Sequence, residues 1–464
     1  MLSNPDFVGR TDSYKVTHWK QYPPGTQKVY SYFESRGGVF DSSVFFGLQY
    51  YLEKYLSGSR VTTQSINRRE RQFNAHFGQI GLFNRDGWEH IVDKHGGKLP
   101  LVVKAVPEGT VVPIGNVLMT VENTDDAVPW LTNYAETLLS KVWYPTTIAS
   151  ADRKARQILK HWLDKTGTPS KAEFMLHDFG YRGVSSEETA EIGGGTHSIY
   201  FKGTDTWAAI DWLESYYGAV NMPMFSIPAS EHSTITSWGE GHEHDAFENM
   251  LEQYPEGLVA CVSDSYDIYK ACSELWGKRL KDKVLARNGT LVIRPDSGNP
   301  CIVVIECLDI LWDAFGGTTN DKGYKVLDPH IRLIQGDGID INSMNQILED
   351  MDRKGFSADN IAFGSGGALL QKVNRDTMKF AFKCSAIQIN DKWLDVYKSP
   401  KTDPGKTSKR GLLKLVYENG TYSTMRESER LDLPDQLIEV FRDGMLTNKT
   451  TLEAVRGKAL SDFV

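Results

Sequence analysis

Cysteine is scarce in this sequence, and the few thiols show no paired spacing. There are five cysteines, an odd number, and no C-x-x-C pair occurs. These features disfavour both a disulfide framework and a thiolate zinc site. We expect reduced, mostly buried thiols in a cytoplasmic protein. The positions are Cys261, Cys272, Cys301, Cys307 and Cys384.

Long apolar runs and an excess of positive charge are also missing. No run approaches the roughly 18 apolar residues that a membrane-spanning helix needs. Polar and charged residues occupy positions 1–14, where a signal peptide would carry its apolar segment. Lys and Arg number 52 against 60 Asp and Glu, for a net charge of -8. We therefore expect neither a membrane nor nucleic acid as a partner, and any anionic ligand must meet local basic residues.

The remaining composition is that of an ordinary globular protein. The 464 residues are 40% hydrophobic, enough apolar material for about two to three domains. In the first part, residues 1–168, an alternating pattern predicts a strand at 28–36. Helical spacing predicts helices at 48–56, 64–77, 128–143 and 149–166. This part is predicted to be mixed α+β.

The pattern changes from residue 169 onwards. Short apolar runs each end in a polar or glycine-rich loop and are followed by a helical stretch. About eight such units fit into 169–389, the number that closes a (β/α)8 barrel. We predict an α/β fold with a (β/α)8-type catalytic barrel over 169–389, beside a mixed α+β domain formed by 1–168 and 390–464. The runs are 174–176, 198–201, 224–227, 258–262, 291–293, 331–334, 361–363 and 380–389.

An open doubly wound sheet is the alternative to the barrel, because strand counts from one sequence are uncertain. In a barrel the loops after the strands share one face, where active sites are built. In the C-terminal part, Asn419-Gly420 lies between two strand-like segments and predicts a β-hairpin.

Two glycine-rich loops follow late strands of the predicted barrel. They are Gln335-Gly336-Asp337-Gly338 and Gly364-Ser365-Gly366-Gly367. Glycine lets backbone N–H groups close around an oxyanion, and the helix after the second loop would point its positive end at it. Barrels often bind a phosphate at this place. Tight turns without a ligand are the alternative.

Carboxylates and arginines crowd the same predicted face. Guanidinium groups bind phosphates, and carboxylates bind ribose hydroxyls or Mg²⁺ with its waters, so the mixture suits a phosphosugar. Ion-pair scaffolding at the barrel mouth is the alternative. The residues are Asp178, Asp205, Asp264, Asp267, Asp296, Asp337, Arg182 and Arg294.

His232 follows the third apolar run. On a catalytic face it would serve as an acid or base, or as a nucleophile toward phosphorus; a structural role is the alternative. His242 and His244 invite comparison with a metal site, but residues two apart at a helix start do not share a face. We therefore predict no metal ligands there. Phe179, at the end of the first run, is either a core residue or a stacking surface for a flat heterocycle.

Six longer motifs occur in order along nearly the whole chain. They are TDSYKVTH (11–18), HDFGYRGVS (177–185), EHSTIT (231–236), SDSYD (263–267), IRPDSG (293–298) and GSGG (364–367). Together they resemble the motifs of the nicotinamide phosphoribosyltransferases, in the type II phosphoribosyltransferase family. Six motifs in order are far more specific than any one of them.

The resemblance implies a reaction. The phosphoribosyl group of 5-phosphoribosyl 1-pyrophosphate (PRPP) would pass to the pyridine nitrogen of nicotinamide, giving nicotinamide mononucleotide and pyrophosphate with Mg²⁺ in NAD salvage. It also implies a homodimer whose sites are completed by the neighbouring subunit. ATP would be a co-substrate that phosphorylates the histidine matching His232, which couples its hydrolysis to tighter substrate capture.

The resemblance further assigns roles to single residues. Phe179 and Tyr14 of the partner subunit would stack on the pyridine ring, and Arg294 and Asp205 would bind the carboxamide. The implied catalytic set is His232, Asp296, Arg294 and Asp267. The implied sugar and phosphate ligands are Asp296, Gly336 and Asp337 for the ribose, Gly366, Gly367 and Arg375 for the 5′-phosphate, Arg182 for pyrophosphate, and Lys383 and Lys398 as further phosphate ligands.

The residue types fit this chemistry. Breaking the bond between C1′ and pyrophosphate builds positive charge on the ribose and negative charge on the leaving group. Carboxylates near the sugar and cations near the phosphates therefore stabilise the transition state. The pyridine nitrogen is already a nucleophile, so positioning matters more than a base. The Asp205 carboxylate would accept an N–H from a carboxamide but repel the carboxylate of nicotinate, which predicts a preference for nicotinamide.

Three other functions stay open at this point. A nicotinate phosphoribosyltransferase has the same predicted fold and reaction type. A sugar-phosphate isomerase or aldolase would use the same glycine loops, and a Schiff-base aldolase needs a buried lysine at a strand end, for which only Lys202 and Lys383 qualify. A dimeric binding protein without catalysis is disfavoured because the acids, arginines and glycine loops occur together.

Overall fold

The structure, a computed structural model, describes residues 6–402 and 406–463. The chain divides into two units. Unit 1 comprises Met1–Ser150, Tyr216–Gly218 and Asn374–Val464, and unit 2 comprises Ala151–Ser215 and Ala219–Val373. The span of unit 2 begins and ends before that of the predicted barrel, 169–389.

Strands and helices occur throughout both units. The strands are β1 (Thr26–Ser35), β2 (Ser42–Val44), β3 (Leu101–Ala105), β4 (Val111–Pro113), β5 (Val117–Asn123), β6 (Leu176–Asp178), β7 (Gly203–Thr204), β8 (Glu256–Val262), β9 (Asn288–Arg294), β10 (Gly317–Thr319), β11 (Lys325–Leu327), β12 (Ile331–Gln335), β13 (Ile361–Ser365), β14 (Phe380–Ile389), β15 (Lys392–Asp395), β16 (Leu413–Glu418), β17 (Thr421–Arg426), β18 (Ile438–Arg442) and β19 (Met445–Leu446). The α-helices are α1 (Leu48–Tyr51), α2 (Thr63–Phe77), α3 (Arg85–His95), α4 (Trp130–Leu139), α5 (Trp143–Thr166), α6 (Glu187–His197), α7 (Trp207–Tyr217), α8 (His232–Thr236), α9 (Glu243–Gln253), α10 (Ile268–Lys270), α11 (Lys281–Ala286), α12 (Pro300–Phe315), α13 (Ile341–Arg353), α14 (Gly367–Leu370) and α15 (Leu452–Ala459). Short 3-10 and π helices span Phe7–Gly9, Ser13–Lys20, Leu52–Leu56, Ser140–Val142, Pro169–Phe174, Tyr181–Gly183, Glu240–His242, Ala271–Arg279, Ala358–Asn360, Arg375–Thr377 and Ser461–Phe463.

Unit 1 is built around an antiparallel sheet. Its strands lie in the order β15-β14-β1-β5-β3-β18-β19. β1 lies between β14 and β5, and Phe33 on β1 stacks on Phe380 of β14 with ring centroids 5.1 Å apart. The predicted hairpin is present as β16 and β17. Asn419 and Gly420 both have positive φ, 52° and 81°, as a two-residue turn with the twist of its strands requires.

Unit 2 is built around a parallel sheet. In the described residues its strands lie in the order β7-β6-β13-β12-β9-β8. Each neighbouring pair is parallel. The segment 225–229 has no strand of its own, but single parallel bridges join Phe225 to Gly203 of β7 and Ala229 to Ala260 of β8. This segment therefore lies between the two outer strands of the sheet.

A closed eight-stranded barrel, predicted from the apolar runs, is not what the described residues form. The second run, 198–201, is a turn after α6, and the strand is the two-residue β7 that follows it. The eighth run forms β14, which pairs antiparallel with β1 in unit 1. An apolar run predicts a buried strand but specifies neither its partner nor its direction. The fold is mixed α/β, with a six-stranded parallel sheet that does not form a closed (β/α)8 barrel over the described residues, and with separate antiparallel sheets.

One face of the parallel sheet carries a small apolar cluster. Ala260, Val292 and Ile334, from three neighbouring strands, are buried together, and Phe179 packs against them. None of the helices formed by the described residues is both long and apolar enough to cross a membrane.

Candidate active site

The parallel sheet brings the predicted loops of unit 2 to one edge. Asp178, Arg294, Gln335 and Ser365 are the last residues of β6, β9, β12 and β13. The register pairs Asp178 with Ser365, so the ends of β6 and β13 are level with one another. The loops that carry Phe179, Asp296, Gly336-Asp337 and Gly366-Gly367 all begin at this edge.

Phe179 lies against two glycines, Gly364 in strand β13 and Gly336 in the loop after β12. Its N–H donates to the carbonyl oxygen of Ser365 at 3.0 Å, which fixes the residue beside β13. A Cβ on Gly364 would lie 1.9 Å from Cε2 of the ring, and a Cβ on Gly336 would lie 3.4 Å from the same atom. Glycine at 364 is therefore what gives the ring its position. The Phe179 ring is a surface at the site as well as a part of the core.

Asp296 is the centre of a cluster of charged residues. A nitrogen of Arg294 lies 3.4 Å from its Oδ2. Burial raises the pKa of the Asp296 carboxyl, the charges of Asp264 and Asp337 raise it further, and Arg294 and His232 lower it. These five residues therefore share one electrostatic environment.

His232 is paired with a buried carboxylate. It is the first residue of α8, and its Nε2 lies 2.9 Å from Oδ1 of Asp264. The Asp264 side chain is 4% exposed and the imidazole 46% exposed. The carboxylate therefore orients the ring through Nε2, and Nδ1 stays available to a ligand.

Two acids lie close to this pair. Asp267 caps α10, because its Oδ1 accepts the N–H groups of Tyr269 and Lys270 at 3.0 Å each. Glu243 is the first residue of α9. Burial is the main cause that raises its pKa to about 7, and the charges of Asp264 and Asp267 act in the same direction. Glu243 had no sequence signal, because its environment depends on tertiary packing.

The glycine loops and the Arg182 turn approach each other through their backbones. A Cβ on Gly183 would lie 3.1 Å from the nitrogen of Gly367, and a Cβ on Gly366 would lie 3.3 Å from the carbonyl oxygen of Phe179. Arg182 is exposed in the turn Tyr181–Gly183. The structure thus brings these three predicted phosphate ligands to one place in unit 2.

Asp178 holds the neighbouring loops together. It is fully buried, and its carboxylate accepts the N–H of Gly180 at 2.7 Å and the hydroxyl of Thr204 at 3.3 Å. Burial raises the pKa of this carboxyl. The Asp178 carbonyl accepts the N–H of Asp205 at 2.9 Å, and the Asp205 carboxylate accepts the Ser226 hydroxyl. Asp178 is therefore a structural residue, and Asp205 is exposed beyond it.

A cavity of about 690 Å³ lies within unit 2, and none of the predicted site residues lines it. Residues of the parallel strands line it together with Pro329 and Asp359, which precede β12 and β13. Burial lowers the pKa of His177, which lines the cavity. The size is sufficient for a small organic molecule. Its other lining residues include Phe174, Phe225, Ser226, Ile227, Val292, Ile334 and Ala362.

The other predicted ligands belong to unit 1. Tyr14 is 59% exposed in the helix Ser13–Lys20. Lys383 lies near Lys398, Arg375 and Arg36: its pKa is lowered, chiefly by burial and then by these three positive charges. Unit 1 therefore contains a cluster of four basic residues.

Arg36 is a member of this cluster that the sequence did not single out. Its Nε lies 2.8 Å from Oε1 of Glu34, and its Nη2 is buried without a hydrogen-bond partner. A basic residue directly after β1 and before two glycines is the only local signal, and such a signal is weak. The geometry makes it a candidate phosphate ligand.

Comparison with known proteins identifies the family. The nicotinate phosphoribosyltransferase (NAPRTase) family matches residues 174–445, more than half of the chain. The chain belongs to this family. Residues 6–103 match a second description, the N-terminal domain of nicotinamide phosphoribosyltransferase.

Members of this family with curated names are similar over the full length. The nicotinamide phosphoribosyltransferase of Xanthomonas campestris pv. campestris (strain 8004) is 49% identical over 461 residues, 97% of both chains. The enzyme of the same name from Acinetobacter baylyi is 34% identical over 487 aligned positions, 96% of this chain and 95% of its own. The predicted resemblance and enzyme class are thus confirmed: the chain is a phosphoribosyltransferase of NAD biosynthesis.

Solved structures support the fold of the family. Nicotinate-nucleotide pyrophosphorylase from Pyrococcus furiosus has a TM-score of 0.61 at 15% identity, covering 98% of this chain and 94% of its own. Human nicotinic acid phosphoribosyltransferase has a TM-score of 0.52 at 14% identity, covering 97% and 93%. At such low identity the likeness concerns the mixed α/β fold alone.

Proposed function

We propose that this phosphoribosyltransferase joins the phosphoribosyl group of PRPP to the pyridine nitrogen of nicotinamide. One observation carries the proposal: an aromatic ring and a carboxylate flank the same glycine. A Cβ on Gly336 would lie 3.4 Å from the ring of Phe179 and 3.3 Å from Oδ1 of Asp296. A pyridine base stacked on Phe179 would therefore lie beside the Asp296 carboxylate, which would bind the ribose. This places the base next to the sugar, as the new bond between the pyridine nitrogen and C1′ requires.

The charges of unit 2 are distributed as this reaction requires. Asp296, Asp264 and Asp337 provide negative charge where the ribose becomes positive, and Arg182 provides positive charge for the departing pyrophosphate. Mg²⁺ would arrive as part of the PRPP complex and neutralise its phosphates. The Gly366-Gly367 backbone would bind the 5′-phosphate.

Asp205 is proposed to select nicotinamide over nicotinate. Wild-type enzyme should show at least about a hundredfold higher kcat/KM for nicotinamide, since facing like charges cost several kcal/mol. Asp205→Asn should reduce this ratio at least about tenfold, because an amide does not repel the nicotinate carboxylate. Asp211→Asn, an exposed acid on α7, is the matched control. Equal kcat/KM values in the wild type would reject this role, and a higher value for nicotinate would favour a nicotinate phosphoribosyltransferase.

ATP is proposed to phosphorylate His232. Nε2 is held by Asp264 at 2.9 Å, so the lone pair of Nδ1 would attack the γ-phosphorus while the bond to ADP breaks. Asp264 would stabilise the positive ring. Incubation with γ-labelled ATP should therefore give an acid-labile label on the protein. His232→Ala should lose the label, and His242→Ala, which removes an exposed histidine, should keep it; a label that survives His232→Ala refutes the assignment.

A homodimer is proposed to complete the site. Tyr14 would act on the site of the partner subunit, as the resemblance implies. Tyr14 has an exposed ring available for such a contact. Location in the cytoplasm stays a prediction.

Complementation between inactive variants tests the shared site. Tyr14→Ala and Arg294→Ala, each nearly inactive alone, are co-expressed with different tags and the mixed dimer is isolated. One of its two sites is intact, so it should recover about half of the wild-type activity per dimer. No recovery would show that Tyr14 acts within its own chain, and a monomer in sedimentation would reject the dimer.

A further inference from the structure

A second cluster of potential ligand side chains lies in unit 1, on elements that carry none of the predicted site residues. His90 and His95 belong to α3, and Asp125 follows β5. The Nε2 atoms of both histidines lie 2.7 Å from the same oxygen, Oδ2 of Asp125. One ligand atom from each residue lies within 4.8 Å of the others. Among residues 6–402 and 406–463, this is the one such set of three.

The helix that carries the histidines is firmly fixed. Asn84 caps its start by accepting the N–H of Gly87 at 3.2 Å, and Gly96 ends it with φ of 59°. Trp88 and Ile91 are buried on one side of α3, and Trp88 packs on Trp130 at 4.7 Å. The two histidines are half-buried, so solvent reaches the cluster.

The loop that carries Asp125 is fixed as well. Oδ1 of Asp125 accepts the N–H of Ala127 at 2.9 Å, which leaves Oδ2 toward the histidines. The Asp125 carbonyl accepts the side-chain amide of Asn123 at 2.9 Å. Asn123 is fully buried and accepts the N–H of Val29 at 2.8 Å. All three side chains are therefore positioned before any ligand arrives.

We propose that His90, His95 and Asp125 form a binding site for Zn²⁺, with water as the fourth ligand. As the structure stands, both Nε2–H groups donate to one carboxylate oxygen, and a cation would replace those two protons. Zinc needs ligand atoms at about 2.0–2.2 Å, so the pairs at 2.7 Å must open by a few tenths of an ångström, which side-chain rotation allows. Two imidazoles and one carboxylate favour zinc over Mg²⁺, which prefers an all-oxygen set.

Zinc at this site would tie the end of α3 to the loop after β5. Because the bound metal stabilises only the folded arrangement, it would raise the melting temperature. The ligands take no part in the proposed phosphoribosyl transfer, so the proposal does not depend on that function.

Metal binding to untagged, metal-free protein tests the proposal. Titration calorimetry with ZnCl₂ should show one site of high affinity per chain that millimolar MgCl₂ does not block. Co²⁺ should give the intense visible absorption of a four-coordinate ion. His90→Gln and Asp125→Asn should weaken zinc binding at least about a hundredfold, beyond the tenfold to hundredfold cost of losing an outer ligand.

His242→Gln is the matched control. His242 Nδ1 also lies 2.7 Å from a carboxylate, that of Asp245, but His244 contacts the other oxygen of that carboxylate. This variant should bind zinc like the wild type. Absence of a stoichiometric site, or equal affinity in His90→Gln, would overturn the proposal and leave the cluster an ion pair. If the variants fail to fold, the cobalt spectrum of the wild type decides alone, since a weak six-coordinate spectrum also overturns it.

Discussion

Replacing Gly364 by alanine should displace Phe179 and weaken nicotinamide capture. The added Cβ would lie 1.9 Å from Cε2, 2.2 Å from Cδ2 and 2.9 Å from Cζ of the ring. Carbon atoms pack at about 3.5–4.0 Å. The ring must therefore retreat by about 1.5 Å, because the strand backbone on the other side is held by its neighbours.

The size of the effect follows from that displacement. A misplacement of about 1 Å costs on the order of a hundredfold in rate when positioning is the main catalytic contribution. We expect kcat/KM for nicotinamide to fall about a hundredfold in Gly364→Ala. Gly336→Ala places its Cβ 3.4 Å from the same ring and 3.3 Å from Asp296. It needs a shift of only a few tenths of an ångström, and we expect a loss of less than about tenfold.

Steady-state kinetics of both variants, with melting temperatures to verify folding, test the reasoning. A double-mutant cycle adds a sharper condition. In a Phe179→Ala background the clash disappears, so Gly364→Ala should then add little to the loss. The reasoning is refuted if Gly364→Ala keeps kcat/KM within threefold of the wild type, or if its effect is the same without the ring.

Three further predictions follow from other contacts. Ionisation of Glu243, whose pKa burial raises to about 7, should destabilise the fold as pH rises from about 4.5 through 7. The free energy of unfolding of Glu243→Gln should therefore exceed that of the wild type more at pH 8 than at pH 5.5, by about 1 kcal/mol after solvent screening, and its melting temperature should follow. Asp152 and His197 are fully buried and 3.0 Å apart, so Asp152→Ala should cost about 3–5 kcal/mol in denaturant unfolding, and Asp152→Asn less. Arg36→Ala should raise KM for PRPP about tenfold with little change in KM for nicotinamide, since its buried Nη2 has no partner.

Local patterns predicted several elements well because each has a local physical cause. The strand predicted at 28–36 is Thr26–Ser35, and the helix predicted at 64–77 is Thr63–Phe77. The start of that helix is fixed by Thr62, whose side chain accepts the N–H of Ser65. The hairpin turn depends only on Asn419 and Gly420.

Partners distant in sequence were less predictable. The pattern at 380–389 is correct for a strand, yet its pairing with β1 depends on residues more than three hundred positions away. The sequence likewise allowed no prediction for Arg36, for Glu243 or for the cluster of His90, His95 and Asp125. Each acquires its environment from tertiary contacts, which hydrophobic periodicity does not record.

The structure brings several predicted site residues together although the strand count was wrong, because the placement of neighbouring loops matters more than closure of the barrel. The pair His232 and Asp264 shows why. The N–H of Val262, at the end of β8, donates to Oγ of Ser230 at 2.9 Å, and the Ser230 N–H donates to the carbonyl of Ala260 at 3.0 Å. His232 lies two residues after Ser230, and Asp264 lies two residues after Val262. The two side chains therefore come into contact. This alignment requires only two bridged segments side by side. It does not require a complete barrel. Parallel order alone therefore places the histidine against its carboxylate.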